Sequence, residues 1–99
     1  MNISQGYAEL AIRRGDLEVL KLLEVNGLKL DPETSGWRGC YFLAIAATWG
    51  HEECVQYLLD KGWDGNKADF CDETPLHDAL RGGYVRCVRI LLGAIYDGD

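Results

Sequence analysis

No apolar run in this sequence approaches a membrane span, which takes about 20 consecutive apolar residues. The first ten residues, MNISQGYAEL, hold no basic region followed by an apolar core, so no secretory signal is read there. The cysteines form no C-x-x-C and the histidines no H-x-x-x-H, which argues against zinc. No G-x-x-x-x-G-K-[ST] occurs, so the many glycines do not build a phosphate loop. No serine or cysteine comes with a histidine base and a third orienting group. Glu52 and Glu53 are adjacent, point about 100° apart on a helix and so share no face for acid–base work. In a first helical turn they complement the helix dipole instead. Positive charge is also scarce. Ten Lys and Arg stand against 16 Asp and Glu, a net charge of −6. The basic residues cluster only at Arg13-Arg14 and at the pair Arg86 and Arg89, whereas a surface that tracks phosphates needs a basic stripe. These absences exclude a cofactor, a metal, nucleic acid and a membrane from the expected function, and they leave catalysis without support.

What is present is most legible in DETPLHDALRGG, Asp72 to Gly83. Thr74 is a good N-cap, because its hydroxyl can accept from an orphan amide of the first turn. Pro75 suits the first helical position, where its missing N–H costs nothing. Leu76, Ala79 and Leu80 recur at helical spacing. Gly82 and Gly83 break the helix, and a second one, YVRCVRILL, follows at once. Neither is long enough to be stable alone.

The pattern recurs. An offset of 33 residues lays Gly83 on Gly50, Ala79 on Ala46, Leu76 on Leu43, Cys87 on Cys54, Val88 on Val55, and Leu91-Leu92 on Leu58-Leu59. A further offset of 35 lays Gly50 on Gly15, Ala46 on Ala11, Cys54 on Val19, Val55 on Leu20, Leu58 on Leu23 and Gly62 on Gly27. A fixed period in this range marks a stack of repeats. Thr74-Pro75-Leu76-His77-Asp78-Ala79 fits T-P-L-H-x-A, and with this period the chain resembles the ankyrin-repeat family over nearly its whole length. The run from Gly50 to Asn66 resembles the second half of such a repeat. The second repeat has Tyr41-Phe42-Leu43-Ala44 in place of T-P-L-H, and the first has no counterpart.

The resemblance implies a mainly α solenoid of three helix–turn–helix repeats, roughly 1–35, 36–68 and 69–99 of one domain, linked by β-hairpin fingers. The inner helices are expected at about Gly6–Arg14, Tyr41–Trp49 and Thr74–Gly82, and the outer ones at about Leu17–Val25, Glu52–Lys61 and Val85–Leu92. The fingers fall at about Leu28–Gly39 and Gly65–Glu73. The histidine and threonine of T-P-L-H are expected to tie one turn to its neighbour, so His77 is structural, as is His51. Cys54 and Cys87 hold one place in successive repeats. Stacked helices lie about 8–10 Å apart, beyond the roughly 7 Å a disulfide tolerates between Cα atoms, so both are small buried hydrophobes. Free thiols and no secretory signal point to a reducing, intracellular compartment, the cytoplasm, with the nucleus also compatible.

By the same resemblance, a protein partner is expected on the concave face made by finger tips and inner-helix ends. Those places hold Trp37, Arg38 and Cys40 on the first finger, Phe70, Cys71 and Glu73 on the second, and Arg13, Arg14, Thr48, Trp49 and Arg81 at the helix ends. Trp and Arg are the types that most often dominate interface energy. The first finger is two residues longer than the second, within LDPETSGWRG, and the extra length suits a recognition loop. Trp63 is instead expected to pack under the second finger. An acidic chain with a preformed surface suits a basic partner. Two roles fit: a general protein-binding module, and a small dedicated inhibitor or immunity-type protein that neutralises a basic enzyme. For the last repeat a monomer is expected, with Arg86 and Arg89 as a partial polar cap and Ile95 and Tyr96 folded back over the edge. End-to-end association is the alternative.

Overall fold

The computed structural model of the chain describes residues 5–30, 37–69 and 71–97, with the backbone alone for residues 37–41 and 97. Six α-helices lie among them: α1 (Gln5–Arg14), α2 (Leu17–Val25), α3 (Trp37–Thr48), α4 (Glu52–Asp60), α5 (Pro75–Gly82) and α6 (Val85–Leu92). A wide π-helical turn, Gly93–Asp97, continues α6. α1, α3 and α5 pack side by side as an inner row, and each packs on the outer helix that follows it. The result is a short solenoid of 38 × 27 × 23 Å.

The three inner helices stop in the same way. Gly15, Gly50 and Gly83 take left-handed φ values of 71°, 73° and 72°. Each glycine N–H bonds three residues back, and the next N–H bonds five back: Asp16 to Ala11 at 2.9 Å, His51 to Ala46 at 2.9 Å, Tyr84 to Ala79 at 3.1 Å. This double closure satisfies carbonyls that a helix end leaves unpaired, and it favours glycine because other residues pay a steric cost at positive φ. Asp16 then caps α2, its Oδ1 accepting from Val19 N–H at 3.2 Å. α2 and α4 end alike, with Leu28 and Trp63 N–H bonding back to Leu23 and Leu58 across Gly27 and Gly62. The equivalent position after α6 is Ile95, 33 residues beyond Gly62. Without that glycine the helix does not stop but widens into the π-helical turn.

The core runs through the stack as columns. Ala11, Ala46 and Ala79 are all buried, and their small side chains let inner and outer helices approach. Leu20, Val55, Leu58, Cys54, Cys87 and Leu91 fill the space behind them. Phe42 and Trp63 are both buried and pack together, with ring centroids 5.8 Å apart. Cys54, Cys71 and Cys87 are free thiols.

The joints between repeats are made by rings. The His51 imidazole lies over Gly15, where an added Cβ would come within 2.4 Å of it, and His51 Nε2 donates to the Arg13 carbonyl at 2.8 Å. At the next joint Tyr84, 33 residues on from His51, lies over Gly50, 2.5 Å from the place of a Cβ. Ties between outer helices add to this. The Tyr57 hydroxyl donates to Glu24, Lys61 sits 3.7 Å from the same carboxylate, and Arg86 pairs with Glu52 at 3.1 Å.

Four expectations need correction. Among the described residues there is no strand, so the β-hairpin fingers are not seen as paired elements. The second finger is a loop with a tight turn at its end. Asp69 N–H donates to the Glu73 carbonyl at 2.8 Å, and Asp72 N–H donates to the Asp69 carbonyl at 3.0 Å, with Asp72 at φ 60°. Second, α3 begins at Trp37 rather than near Tyr41. Pro75 holds Thr74 extended, at φ −104° and ψ 168°, and so marks where α5 starts, but the equivalent residue in α3 is Phe42, which imposes no such stop. Third, among the described residues the bonds of His77 are local: its Nδ1 accepts from Thr74 N–H at 2.8 Å within one turn. Among these residues the inter-repeat imidazole bond is that of His51. Fourth, Arg86 faces back to Glu52 rather than capping the end, and Tyr96 is exposed rather than folded over the edge. Ile95 alone tucks in, half-buried near Gly65.

Gly50 and Gly83 share one backbone conformation, but only Gly50 has a ring on it. Alanine at either site adds left-handed strain of about 1–2 kcal/mol. Gly50→Ala should cost about 1 kcal/mol more than Gly83→Ala in urea unfolding, because it also overpacks against Tyr84. Equal losses would show that the ring does not seat on the glycine. The joints also set a response to base. Burial, with help from Glu53 and Asp16, raises the Cys54 thiol from 9.0 to about 11. The folded chain thus keeps a proton that the unfolded chain loses, and this share of stability is whole below pH 9 and falls as pH rises toward 11. Tyr57, raised by burial and by its bond to Glu24, and Lys61, raised by its bond to Tyr57, act in the same direction. Melting temperature should drop through this range, and less steeply in Cys54→Ala than in the parent.

Candidate functional site

Inner-helix ends are placed by the glycines that stop them, so the residues just before each glycine form rows across the stack. Arg13, Thr48 and Arg81 make one row, and Arg14, Trp49 and Gly82 the next. All six are exposed. The rows differ in how far folding already uses them. Arg13 pairs with Glu9, one turn back on α1, at 3.0 Å. Arg81 reaches Glu73 on the second finger at 2.7 Å and Asp78 at 3.2 Å, so it ties finger to helix. Trp49 is 54% exposed, although it follows a helix whose other large side chains from Phe42 onward are buried.

The second finger is organised by Asp69. Its Oδ1 accepts from Cys71 N–H at 2.8 Å and from Glu73 N–H at 3.0 Å, which presents Cys71 outward and turns Glu73 toward Arg81. Asp64, Asp69, Asp72, Glu73 and Asp78 make this region acidic. Burial raises the Asp78 carboxyl above its ordinary value, and Glu73 and Asp69 add to the rise against the pull of Arg81.

The sequence-derived set is therefore only partly assembled. Arg13, Arg14, Thr48, Trp49 and Arg81 stand on the exposed ends of the inner row, with Cys71 and Glu73 on the adjoining finger. Trp37, Arg38 and Cys40 are not finger residues: their backbone is the first turn of α3, and their side chains lie outside the described residues, as does Phe70. The extra length of the first finger falls largely within residues 31–36, also outside the described residues. Sequence reasoning missed Asp69 as the organiser of the finger and Tyr84 as a joint residue. A signal for Tyr84 was present, since it follows Gly83 as His51 follows Gly50.

Among the described residues no group of three or more His, Cys, Asp or Glu could hold a metal ion, and no helix is long and apolar enough to cross a membrane. The exposed row of helix ends carries a large indole beside guanidinium groups and the carboxylates of the adjoining finger.

Comparison with known proteins agrees with the architecture. The family described as "Ankyrin repeats (3 copies)" matches residues 9–98. The chain is 33% identical over 90 residues to the E3 ubiquitin-protein ligase XBAT33 of Arabidopsis thaliana, covering 90% of this chain and 17% of that protein. It is 34% identical over 88 residues to protein phosphatase 1 regulatory subunit 27 of Mus musculus, covering 89% of this chain and 56% of that one. Identity to the L-asparaginase of Dirofilaria immitis is 37% over 71 residues, 72% of this chain and 12% of the relative. The chain thus spans less than two thirds of the length of each of these relatives.

The two tryptophans whose side chains are described should separate cleanly. Trp63→Ala removes a buried ring and should cost about 3–5 kcal/mol in chemical denaturation. Trp49→Ala removes an exposed one and should change stability by less than about 0.5 kcal/mol. A large loss at Trp49 would mean that this indole serves the fold and not a surface.

Proposed function

The chain belongs to the ankyrin-repeat family, and on that footing we propose that it is a non-catalytic protein-binding module whose partner docks on the inner-helix ends and the second finger. The observation that carries this reading is the exposed indole of Trp49 at the end of the middle inner helix. Folding gains little from leaving so large an apolar ring in water, whereas Trp is a frequent anchor of protein interfaces. Arg14 stands in the same row and has no ion pair among the described residues. Phe70 belongs to the proposed contact set by its sequence position on the second finger. Similarity to a protein named as a phosphatase regulatory subunit supports binding over catalysis for these repeats. The module works in a reducing compartment, the cytoplasm or the nucleus, where Cys71 stays a thiol.

The acidic second finger and the net charge of −6 favour a basic partner and also support the narrower reading, an inhibitor or immunity-type protein that neutralises a basic enzyme. The two roles differ in what the immobilised chain retains from a lysate of its source: one enzyme that loses activity at equal stoichiometry, or several unrelated proteins. Once a partner is in hand, Trp49→Ala should weaken the complex by about 2 kcal/mol or more, roughly 30-fold, in titration calorimetry. Unchanged affinity in Trp49→Ala, with binding lost in a folded His77→Ala variant, would place the interface elsewhere.

A further inference from the structure

The turn that ends α2 is chemically labile, and we propose that Asn26 is a modification site, converted by water to aspartate and isoaspartate when the last turn of α2 opens. Of the three asparagines, Asn2, Asn26 and Asn66, only Asn26 precedes a glycine. The first step is internal. The Gly27 amide nitrogen, having lost its proton to base, attacks Cγ of Asn26. The new N–Cγ bond closes a five-membered imide, the Cγ–Nδ2 bond breaks, and Nδ2 leaves as ammonia. Water then opens the imide. Attack at Cγ gives aspartate. Attack at the main-chain carbonyl carbon gives isoaspartate, in which the chain runs through Cγ and is one methylene longer. One water is consumed and one ammonia released, with no oxidant or reductant. Glycine favours the first step because it has no Cβ to hinder the attacking nitrogen.

The fold sets when this reaction can run. Asn26 is exposed, so water and base reach it. Lys61, 35 residues on at the same turn of α4, is also exposed although a repeat lies on either side of it, so exposure belongs to the position. The closed turn nonetheless keeps the reacting atoms apart. At ψ 13° the Gly27 nitrogen nearly eclipses the backbone nitrogen of Asn26 and is turned away from its side chain. Asn26 Nδ2 donates to the Leu22 carbonyl at 2.9 Å, and Gly27 N–H donates to the Glu24 carbonyl at 3.1 Å. Closing the imide requires rotation about the Asn26 Cα–C bond. That rotation carries away Leu28, whose N–H donates to the Leu23 carbonyl at 2.9 Å. Conversion therefore waits for local opening, which at a helix end costs far less than global unfolding.

The products change the joint. Either one replaces an amide that donates to Leu22 with a carboxylate that cannot, at the negative end of the helix dipole. The new charge stands two residues from Glu24, which accepts from Tyr57 and pairs with Lys61 across the first joint. Isoaspartate does more. Its extra methylene puts Leu28 out of register with Leu23, and Leu28 is a core residue, 4% exposed. The chain thus carries a slow, one-way loosening of the contact between its first two repeats.

Peptide mapping by mass spectrometry tests this, on the full chain kept in mildly alkaline buffer and, in parallel, in guanidinium chloride. Asn26 should convert in both, about 10- to 100-fold more slowly in the folded chain. In denaturant it should outpace Asn66, which precedes Lys67. An isoaspartyl methyltransferase should label the product. Leu28→Ala loosens the turn and should bring the rate in buffer toward that in denaturant, with Asn66 unchanged; if this variant does not fold, Leu28→Val serves. Hydrogen exchange should show the Leu28 amide unprotected in the isoaspartate form and still protected in fresh Asn26→Asp, which has the charge without the added methylene. Equal rates in buffer and denaturant overturn the proposal, as does an Asn26 that stays intact in the folded chain beyond that range. So does a folded Leu28 variant that reacts no faster than the parent.

Discussion

The stack depends on the left-handed glycine that ends each inner helix. At φ near 72° the chain reverses in two residues and returns the outer helix against the inner one. The same absence of a Cβ provides the seat for the ring that follows the next glycine along the chain, His51 on Gly15 and Tyr84 on Gly50. One residue type thus meets two demands, a local turn that disfavours side chains and a close approach that excludes them. The joints differ in chemistry. His51 also gives its Nε2–H to the Arg13 carbonyl, one of those left unpaired at the end of α1. The second joint has a phenol ring where the first has an imidazole, with the Arg86–Glu52 pair between its outer helices.

Polar groups divide unevenly between the two sides of the solenoid. On the outer side, Tyr57, Glu24 and Lys61 join the first two repeats, and Glu52 and Arg86 join the last two. Tyr57 and Glu24 are half-buried, whereas Lys61 and Arg86 are exposed, and ion pairs made by exposed groups are worth only about 0–1 kcal/mol each. Their effect is to hold register more than to add stability. On the inner side Arg81 ties the second finger down through Glu73, while Trp49 stays in water. Trp49 is thus a large ring that folding leaves in water beside a finger already tied down, and this is the physical basis for the contact surface proposed there.

The turn after α6 lacks the glycine that the earlier outer helices have. Gly27 and Gly62 stop α2 and α4 and turn Leu28 and Trp63 inward to the core. Ile95 stands at the next such position, so α6 runs on through a π-helical turn and Tyr96, the equivalent of Trp63, remains in solvent.

The repeat was legible in the sequence because periodic burial requires periodic residues. Columns such as Ala11–Ala46–Ala79 and Gly15–Gly50–Gly83 state where helices pack and where they stop, and the helix order and the buried places of Cys54, Cys87 and Trp63 follow from them. Rows of exposed residues at the helix ends were legible for the same reason, since Arg13, Thr48 and Arg81 are located by the glycines after them. The start of α3 was not, because Phe42 in place of a proline removes a stop without supplying a new one. Nor was the partner of each side chain. That His51 reaches Arg13 while His77 serves its own turn, and that Arg86 faces Glu52 rather than the end, depends on distances between repeats that no single stretch encodes. Period and local stop signals act within a few residues and can be read along the chain. Ring seating, ion pairing and exposure arise where residues more than thirty positions apart meet, and only the stacked structure decides them.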